Sequence, residues 1–418
     1  QMPTRTERRT RGRTARGGSK AALPCIEGDA LGPLAWRVPA RYEVRELIGR
    51  GSYGTVCEAA DLEKGRMVAI KRLTNVFSDP IKCRRVLREL AIQARLDHSH
   101  VVRLHDIVAP ETEKANFDEL YIVMELGDAD LKTLFQKNVT LVPSQVNSIM
   151  YNLLVGLKYL HTSGIYHRDL KPSNVLVNQD CCVKICDFGL ARAVGEESEA
   201  LPGEGPQALL RPEAKASRVM TKHVVTRFYR APELILLQDR YTEAIDVWSA
   251  GCIYAELVQM LNGGSPQQRG PLFPGSTCFP LSPDHRHRYD GLFHSRGSRE
   301  QLNVIFDILG TPSDVEVERL EGEESRQYIR CFARREGVGV RARLPLATTS
   351  AVDLLEGMLR FSPEDRHSVE EALAHEVLAE VRKPSSEAAA PAYITLEFES
   401  EPVLSEEQLR CCFAEEIR

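Results

Sequence analysis

Short apolar runs separated by glycines and polar turns occupy the part of the chain that follows residue 41. They cover residues 42–48, 55–59, 67–72 and 120–126, and β-branched side chains are common in them. Such runs, bounded by turn residues, are typical of β-strands. We therefore predict an antiparallel sheet in this region.

Helical spacing replaces these runs farther along the chain. Apolar side chains recur three and four positions apart, as on one buried face of a helix. They are Val146, Ile149, Met150, Leu153, Leu154, Leu157 and Leu160. Gly164 lies where a C-terminal cap is expected, and Ser405 and Gln408 have the spacing of a capping box that opens a last helix. Strands followed by helices predict the α+β class.

The first twenty residues form a basic arm without apolar periodicity. They contain a single acid, Glu7, and seven basic residues, namely Arg5, Arg8, Arg9, Arg11, Arg13, Arg16 and Lys20. We expect this arm to be disordered, because it has little apolar surface to bury. A solvated tail, a nuclear or acidic-partner signal and a transit peptide all fit this composition.

Three later segments are rich in residues that interrupt helices and strands. Residues 194–219 and 263–297 are expected to be loop insertions, although Phe273 indicates that part of the second one packs. Residues 382–391 are expected to be a linker before the last helix.

Composition narrows the classes of function. The 418 residues are 43% hydrophobic and carry a formal net charge of -5, which suits two packed lobes and argues against a basic nucleic-acid-binding face. The eleven cysteines form no C-x-x-C pair, so neither a disulfide framework nor a structural zinc site is indicated. No apolar stretch has the length of a membrane helix. We expect a cytoplasmic protein, present also in the nucleus if the arm acts as a signal.

Three glycines, Gly49, Gly51 and Gly54, lie between two predicted strands in a G-x-G-x-x-G motif. Glycine lets the backbone lie close over phosphate groups and present its N–H groups to them. A plain tight hairpin explains these glycines nearly as well. Because no helix begins inside the motif, its context argues against a dinucleotide-binding fold.

Lys71 lies on a predicted apolar strand, and Glu89 follows eighteen residues later in a helical stretch. A buried lysine requires a counter-charge. If the two side chains pair, the lysine is held ready for the phosphates of ATP. Taken alone, the two residues are better explained as unrelated surface charges.

Three further motifs occur in order along the chain and are decisive as a set. They are HRDLKPSN at residues 167–174, DFG at residues 187–189 and APE at residues 231–233. Within them, Asp169 can accept a hydrogen bond from an incoming hydroxyl group. Asn174 and Asp187 offer the oxygen ligands that Mg²⁺ prefers. Any one motif could arise by chance, but the ordered set could not.

The region from about residue 42 to 378 resembles a eukaryotic protein kinase domain of the mitogen-activated protein (MAP) kinase family. The resemblance includes residues 227–234, residues 246–251 and the pair Asp365 and Arg366. It implies a bilobal fold with a small antiparallel-sheet N-lobe that carries one helix and a larger, mainly helical C-lobe. The similarity is strongest to the divergent MAP kinase 2 type of apicomplexan parasites, which carries a T-x-H activation motif.

The resemblance also divides the chain into parts. Residues 1–41 are the basic arm and its lead-in, about 42–127 the N-lobe, and about 128–378 the C-lobe. An insert lies within the C-lobe at about 260–300. Residues 379–418 are a C-terminal extension that ends in a helix.

By this resemblance the chain transfers the γ-phosphate of ATP, with Mg²⁺ as cofactor, to serine or threonine residues of proteins. The resemblance assigns catalytic roles to Asp169, Lys171, Lys71, Glu89 and Thr226, and metal binding to Asn174 and Asp187. The ATP-binding positions that it carries over are Ile48, Gly49, Gly51, Gly54, Val56, Ala69, Lys71, Met124, Glu125, Leu126, Gly127 and Leu176.

Two other positions take their roles from the resemblance. Arg366 is expected to pair with Glu233 and brace the C-lobe. Cys186, just before the DFG motif, is expected to face the ATP pocket.

The activation segment departs from the family pattern. Ordinary MAP kinases carry T-x-Y, whereas this chain has threonine, lysine and histidine at residues 221–223, and histidine cannot replace phosphotyrosine. We expect one regulatory phosphorylation, at Thr221, made by an upstream kinase or by autophosphorylation. Its phosphate would meet the arginines that match the family's phosphothreonine pocket, which are Arg88, Arg168 and Arg192.

Expectations about partners follow from the same comparison of motifs. Arg227 and its surroundings imply substrates in which proline follows the serine or threonine, and the acidic docking residues of the family are missing near Arg382. We expect a monomer that binds neither membrane nor nucleic acid directly. The alternative is a catalytically silent scaffold, which would require loss of Lys71, Asp169 or Asp187, and all three are present.

Overall fold

A five-stranded antiparallel sheet forms the smaller of two lobes in the computed structural model, with the strand order β1-β2-β3-β5-β4. The structure describes residues 36–50, 54–110, 117–193, 226–238, 242–261, 266–278, 299–401 and 403–417. The strands of the sheet are β1 (Tyr42–Arg50), β2 (Thr55–Asp61), β3 (Arg66–Thr74), β4 (Leu104–Val108) and β5 (Glu119–Glu125).

Four of these strands confirm the predicted apolar runs, and β4 was not identified from the sequence. The sheet core also extends upstream of β1. Trp36 and Val38 are buried with Tyr42, and the Trp36 ring lies 5.7 Å from that of Tyr121. The lead-in is therefore part of the small lobe from residue 36 onward.

One long helix, α1 (Pro80–Arg95), follows β3 and packs against the sheet. Asp79 caps it by accepting a hydrogen bond from the Ile81 N–H group at 2.9 Å, and proline is favoured at the first helical position. Leu87 and Leu90 are fully buried beneath the sheet. Because the burial of α1 also includes charged residues, this helix must find counter-charges elsewhere in the protein.

Helices α3 (Pro143–Thr162) and α5 (Ala244–Val258) form the centre of the larger lobe. The apolar stripe predicted for α3 is confirmed, since all of its members are buried. Gly164 adopts a φ of +77°, and its N–H group donates to the His161 carbonyl at 3.0 Å, as expected of a glycine cap. Trp248 of α5 stacks on Phe273 at 5.5 Å, so part of the predicted insertion packs into the core.

Shorter elements complete the larger lobe. The strands are β6 (Ala129–Asp130), β7 (Ile165–Tyr166), β8 (Val175–Val177), β9 (Val183–Ile185) and β10 (Arg192–Ala193). The helices are α2 (Leu131–Gln136), α4 (Pro232–Ile235), α6 (Gln301–Leu309), α7 (Asp314–Glu318), α8 (Glu323–Arg330), α9 (Val340–Arg343), α10 (Thr349–Met358) and α11 (Val369–Ala374). None of the helices in the described ranges combines the length and apolar character needed to cross a bilayer.

The C-terminal tail crosses from the larger lobe to the smaller one. The Ile394 N–H group donates to the Ser163 carbonyl, just after α3, at 2.8 Å. Farther along, helix α12 (Glu406–Glu416) packs on α1 through Leu409 and Phe413. The capping box predicted at the start of this helix is confirmed. The tail therefore contacts both lobes.

Residues 382–391 are not the linker that their composition predicted. Glu387 is buried and accepts a hydrogen bond from Arg382 at 2.8 Å, and the Tyr151 hydroxyl donates to the Lys383 carbonyl at 2.8 Å. Composition gave no sign of the bond to Lys383, because its partner is a side chain on distant α3.

The ion pair between Arg366 and Glu233 should be required for the stability of the larger lobe. Its two hydrogen bonds measure 2.7 and 3.0 Å, and both side chains are buried. Because Arg366→Ala leaves the carboxylate of Glu233 buried without its partner, we expect the free energy of unfolding to fall by about 3–5 kcal/mol. Urea denaturation followed by tryptophan fluorescence measures this loss.

Arg319→Ala is the matched control. Arg319 pairs with Asp365 at 2.7 Å, but both side chains are exposed, so the loss should stay below about 1 kcal/mol. Equal losses in the two variants would contradict the assignment.

Candidate active site

Lys71 and Glu89 meet across the interface between the sheet and α1. Lys71 lies on β3, and its Nζ atom is 2.5 Å from Oε1 of Glu89. Burial would lower the pKa of Lys71, but the carboxylates of Glu89 and Asp187 raise it to about 12. The lysine is therefore charged at neutral pH, and the pair predicted from the sequence is formed.

Several predicted adenine and phosphate positions lie on neighbouring strands of the small lobe, beside the region where Lys71 meets Asp187 of the larger lobe, which we call the cleft. Gly49 pairs with Val56 in the β1–β2 hairpin, and Ala69 pairs with Met124 across β3 and β5. A Cβ atom on Gly54 would overlap the backbone carbonyl of Arg72, so this position requires glycine.

Three more of the predicted positions lie where the chain passes from the small lobe to the larger one. Glu125 ends β5, and Leu126 and Gly127 follow it toward the larger lobe. A Cβ atom on Gly127 would lie 3.0 Å from the side chain of Leu176, so these two predicted positions face each other. Ile48, on β1, is 45% exposed, which leaves its side chain available to a ligand.

Asp169 is largely buried in the loop that follows β7, and one of its two carboxylate oxygens is hydrogen-bonded to Lys171. Its Oδ2 atom accepts a hydrogen bond from the Lys171 Nζ atom at 2.5 Å, and its backbone N–H group donates to His167 Nδ1 at 3.3 Å. Its Oδ1 atom is buried and has no hydrogen-bond partner in the described parts of the protein. Because a buried oxygen without a partner is unfavourable, a bound hydroxyl group would satisfy it.

Asn174 and Asp187 supply oxygen donors beside Asp169. The Asn174 side chain donates through Nδ2 to the Asp169 carbonyl at 3.0 Å. Its Oδ1 atom accepts a hydrogen bond from the Ser173 hydroxyl at 3.3 Å and has a second lone pair for a metal ion. Burial would raise the pKa of Asp187, but Lys71 and Lys171 lower it, so its carboxylate is ionised at neutral pH. An amide oxygen and a carboxylate fit Mg²⁺, which takes its remaining ligands from phosphates and water.

Asp246 anchors the loop that carries these groups, and the sequence analysis gave it no role. Its carboxylate accepts hydrogen bonds from the backbone N–H groups of His167, at 2.8 Å, and Arg168, at 2.9 Å. His161 lies 3.1 Å from the same carboxylate. Because Arg168 has a φ of +65°, which is unfavourable for a side chain of its size, these bonds hold a strained turn.

Two of the three predicted phosphothreonine-pocket arginines meet on an acidic residue of the C-terminal tail. Glu399 accepts a hydrogen bond from Arg88 at 2.8 Å and from Arg192 at 3.3 Å. Arg84, one turn before Arg88 on α1, lies 3.4 Å from the same carboxylate. Neither Arg84 nor Glu399 was predicted from the sequence. Arg84 could have been found from its four-residue spacing from Arg88, which places the two side chains on one face of a helix.

Three predicted positions cannot be placed in this geometry. Gly51 and Thr221 lie outside the described residues. Thr226 begins a 3-10 turn, Thr226–Tyr229, but its side chain is outside the described part of the structure.

Comparison with known proteins agrees with this geometry. The family model described as "Protein kinase domain" matches residues 42–271. Mitogen-activated protein kinase 1 of Oryza sativa subsp. japonica is 38% identical over 376 residues, which cover 90% of this chain and 81% of that protein. Mitogen-activated protein kinase 3 of Arabidopsis thaliana is 37% identical over 403 residues, which cover 94% and 95%. Mitogen-activated protein kinase 6 of Arabidopsis thaliana is 38% identical over 376 residues, which cover 90% and 82%.

Cys186 should react slowly with alkylating reagents although it borders the cleft. Burial raises the pKa of its thiol well above the usual value, with a further contribution from Asp187. Because the thiolate is the reactive form, its labelling by iodoacetamide at pH 7.4 should be at least about tenfold slower than that of exposed Cys331.

Mass spectrometry of peptides from a labelling time course compares the two rates. The rate at Cys186 should rise as the pH is raised from 7 to 9, because more thiolate forms. Cys331→Ser serves as the control for peptide assignment. Labelling of Cys186 as fast as that of Cys331 would contradict the raised pKa.

Proposed function

We propose a regulated, proline-directed activity for this chain, on the premise that it belongs to the mitogen-activated protein kinase family. It is a serine/threonine protein kinase that uses ATP as phosphate donor and Mg²⁺ as cofactor. Its substrates are proteins.

The convergence of Lys71, Asp169, Asn174 and Asp187 is the observation that carries the assignment of roles. Lys71, fixed by Glu89 at 2.5 Å, would bind phosphate oxygens of ATP. Asp169 would accept the hydrogen bond of the substrate hydroxyl through its Oδ1 atom and orient that group for in-line attack. Lys171, 2.5 Å from Asp169, would stabilise negative charge on the phosphoryl group during transfer.

Asn174 and Asp187 would hold Mg²⁺. When bound, the ion neutralises charge on the phosphate oxygens and orients them. The groups that a silent scaffold would be expected to lack are all present and connected, so we favour catalysis over scaffolding.

The preference for proline after the phosphorylated residue rests on the segment that contains Arg227. Arg227 is buried, and its guanidinium group donates to the Ser276 carbonyl. This contact ties the segment that follows the activation loop to the part of the insertion that packs in the core. Because this contact holds the segment in place, it supports selection of the substrate residue that follows the phosphorylated serine or threonine.

We further propose that phosphorylation of Thr221 alone switches the enzyme. Residue 223 is histidine, so the second phosphorylation of a T-x-Y segment has no acceptor here. Arg88 and Arg192 converge on one anion in the structure, which supports their use as a phosphate-binding pair. The phosphate would come from an upstream kinase or from the enzyme itself.

Asp169→Asn should abolish most of the activity and leave nucleotide binding intact. Because the amide can no longer accept the hydroxyl proton, kcat for a Ser-Pro peptide should fall by about 10²–10⁴-fold. The Kd for ATP should change little, since Asp169 is assigned to the substrate hydroxyl. A radiometric phosphate-transfer assay and fluorescence titration with a nucleotide analogue measure the two quantities.

Asp180→Asn, at an exposed aspartate in the following loop, is the control and should keep full activity. A peptide with alanine in place of the proline tests specificity in the same assay. Equal kcat/KM for the two peptides would contradict proline direction. Full activity of Asp169→Asn would contradict the assigned role.

Thr221→Ala should lower kcat by about tenfold relative to the phosphorylated enzyme, because it removes a dianion that binds several arginines. Mass spectrometry must first show phosphate on Thr221 in the reference sample. Ser217→Ala, in the same segment, is the matched control and should behave as wild type. Full activity of Thr221→Ala would contradict regulation through this residue.

A further inference from the structure

Glu399 brings a buried carboxylate from the C-terminal tail to arginines of both lobes. It ends the 3-10 turn Glu397–Glu399, and its side chain is only 5% exposed. Its Oε1 atom lies 2.8 Å from Nε and 2.7 Å from an Nη atom of Arg88. Its Oε2 atom lies 3.3 Å from Arg192 and 3.4 Å from Arg84. Arg84 and Arg88 are on α1, whereas Arg192 is on β10, at the start of the activation segment.

The backbone of the turn takes part in the same contact. Arg84 donates to the carbonyls of Phe398, at 3.0 Å, and Glu399, at 3.1 Å. Arg84 is 4% exposed and Arg88 is 2% exposed, so both guanidinium groups are largely removed from water. Two buried cations side by side repel each other and need an anion between them. Glu399 supplies that anion.

Packing on either side of Glu399 fixes the turn in place. Before it, Ile394 is bound to Ser163 of the larger lobe at 2.8 Å. After it, α12 packs on α1, and Arg95 at the end of α1 binds Glu416 at 2.8 Å. The described residues on the two sides of Glu399 are therefore attached to different lobes.

We propose that Glu399 is a positioning residue that supplies, from the tail, the negative charge that a phosphate on Thr221 would bring to the same arginines. In the unphosphorylated enzyme it holds α1 where Glu89 meets Lys71, and so maintains a basal activity. This inference deepens the regulation proposed above and rests on it.

Because Arg88 and Glu89 are adjacent, the contact of the tail with Arg88 is expected to maintain the activity and not to inhibit it. The two residues are consecutive on α1, and the 2.5 Å contact of Glu89 with Lys71 exists while Arg88 is bound to Glu399. Glu399 can therefore bind these arginines while Glu89 and Lys71 form the ion pair that prepares the lysine for ATP. A phosphate carries more charge than a carboxylate and three acceptor oxygens, so phosphorylation still adds to the activity.

The test compares Glu399→Gln with wild type in two states, a Thr221→Ala background and the enzyme phosphorylated on Thr221. Glutamine keeps the size of the side chain but removes its charge. In the unphosphorylated background kcat for the Ser-Pro peptide should fall by about tenfold, with little change in KM for the peptide, because the charge-assisted contact acts on α1. In the phosphorylated enzyme the loss should be less than about twofold, because the phosphate supplies the charge.

Two further variants separate charge from structure. Glu397→Gln is the matched control, because Glu397 lies in the same 3-10 turn but is exposed, and it should leave kcat unchanged. Glu399→Asp keeps the charge and should restore most of the activity lost in Glu399→Gln. Hydrogen exchange measured by mass spectrometry should show faster exchange of the α1 amides in Glu399→Gln alone.

Circular dichroism checks that each variant is folded at the assay temperature. If Glu399→Gln does not fold, Arg192→Gln removes the contact from the other lobe and should give the same loss in the unphosphorylated background. An unchanged or raised kcat in that background overturns the proposal. Equal losses in both phosphorylation states also overturn it, because they indicate a structural role only.

The results also distinguish a wrong role for Glu399 from a wrong role for Thr221. If Thr221→Ala is fully active, that regulation fails, and the comparison of Glu399→Gln with Glu399→Asp still decides whether the tail charge positions α1. If Thr221→Ala loses activity and Glu399→Gln adds no further loss, only the role of Glu399 fails.

Discussion

The position of α1 is the constraint on which the rest of the cleft depends. Lys71 is enclosed by protein and keeps its charge because a carboxylate from α1 lies 2.5 Å away. A shift of this helix by a few ångströms would separate Glu89 from Lys71 and leave Asp187 as the other carboxylate that raises the pKa of the lysine. The elements that fix α1 are therefore as important to phosphate transfer as the groups that touch ATP.

Two kinds of force fix that helix. Apolar contacts with the sheet and with α12 set its distance from the neighbouring elements, through side chains such as Leu87, Leu90 and Phe413. Ionic contacts set its rotation, because Arg84 and Arg88 must both face the carboxylate of Glu399 while Glu89 faces the cleft. Apolar packing alone tolerates rotation better than a set of buried charges does.

The sequence predicts this protein well where the information is local. Short apolar runs rich in β-branched residues located four strands of the sheet, and the i, i+3, i+4 pattern located α3. The ordered motifs and the resemblance that they carry assigned Lys71, Asp169 and Asp187 to one site. Short β4 was not found, because five residues carry too little periodic signal. The packing of Trp36 was also missed, since the basic arm before it gave no sign of a folded segment.

The contacts that could not be predicted join residues far apart in the chain. Glu399 is separated from Arg88 by 311 positions, and Asp246 from His167 by 79. Nothing in the tail distinguishes Glu399 from its acidic neighbours until the fold turns one of them inward. The contacts of Glu387 with α3 could not be predicted from the composition of its segment either, because they depend on where α3 places Tyr151 and Lys158.

The path of the tail has a mechanical consequence for the opening of the cleft. The lobes are joined by the chain at residues 125–127 and again by the segment between Ile394, attached to the larger lobe, and Glu399, attached to α1. Five peptide steps span at most about 17 Å when fully extended. While both attachments hold, this second connection limits how far α1 can move away from the larger lobe when nucleotide enters and leaves.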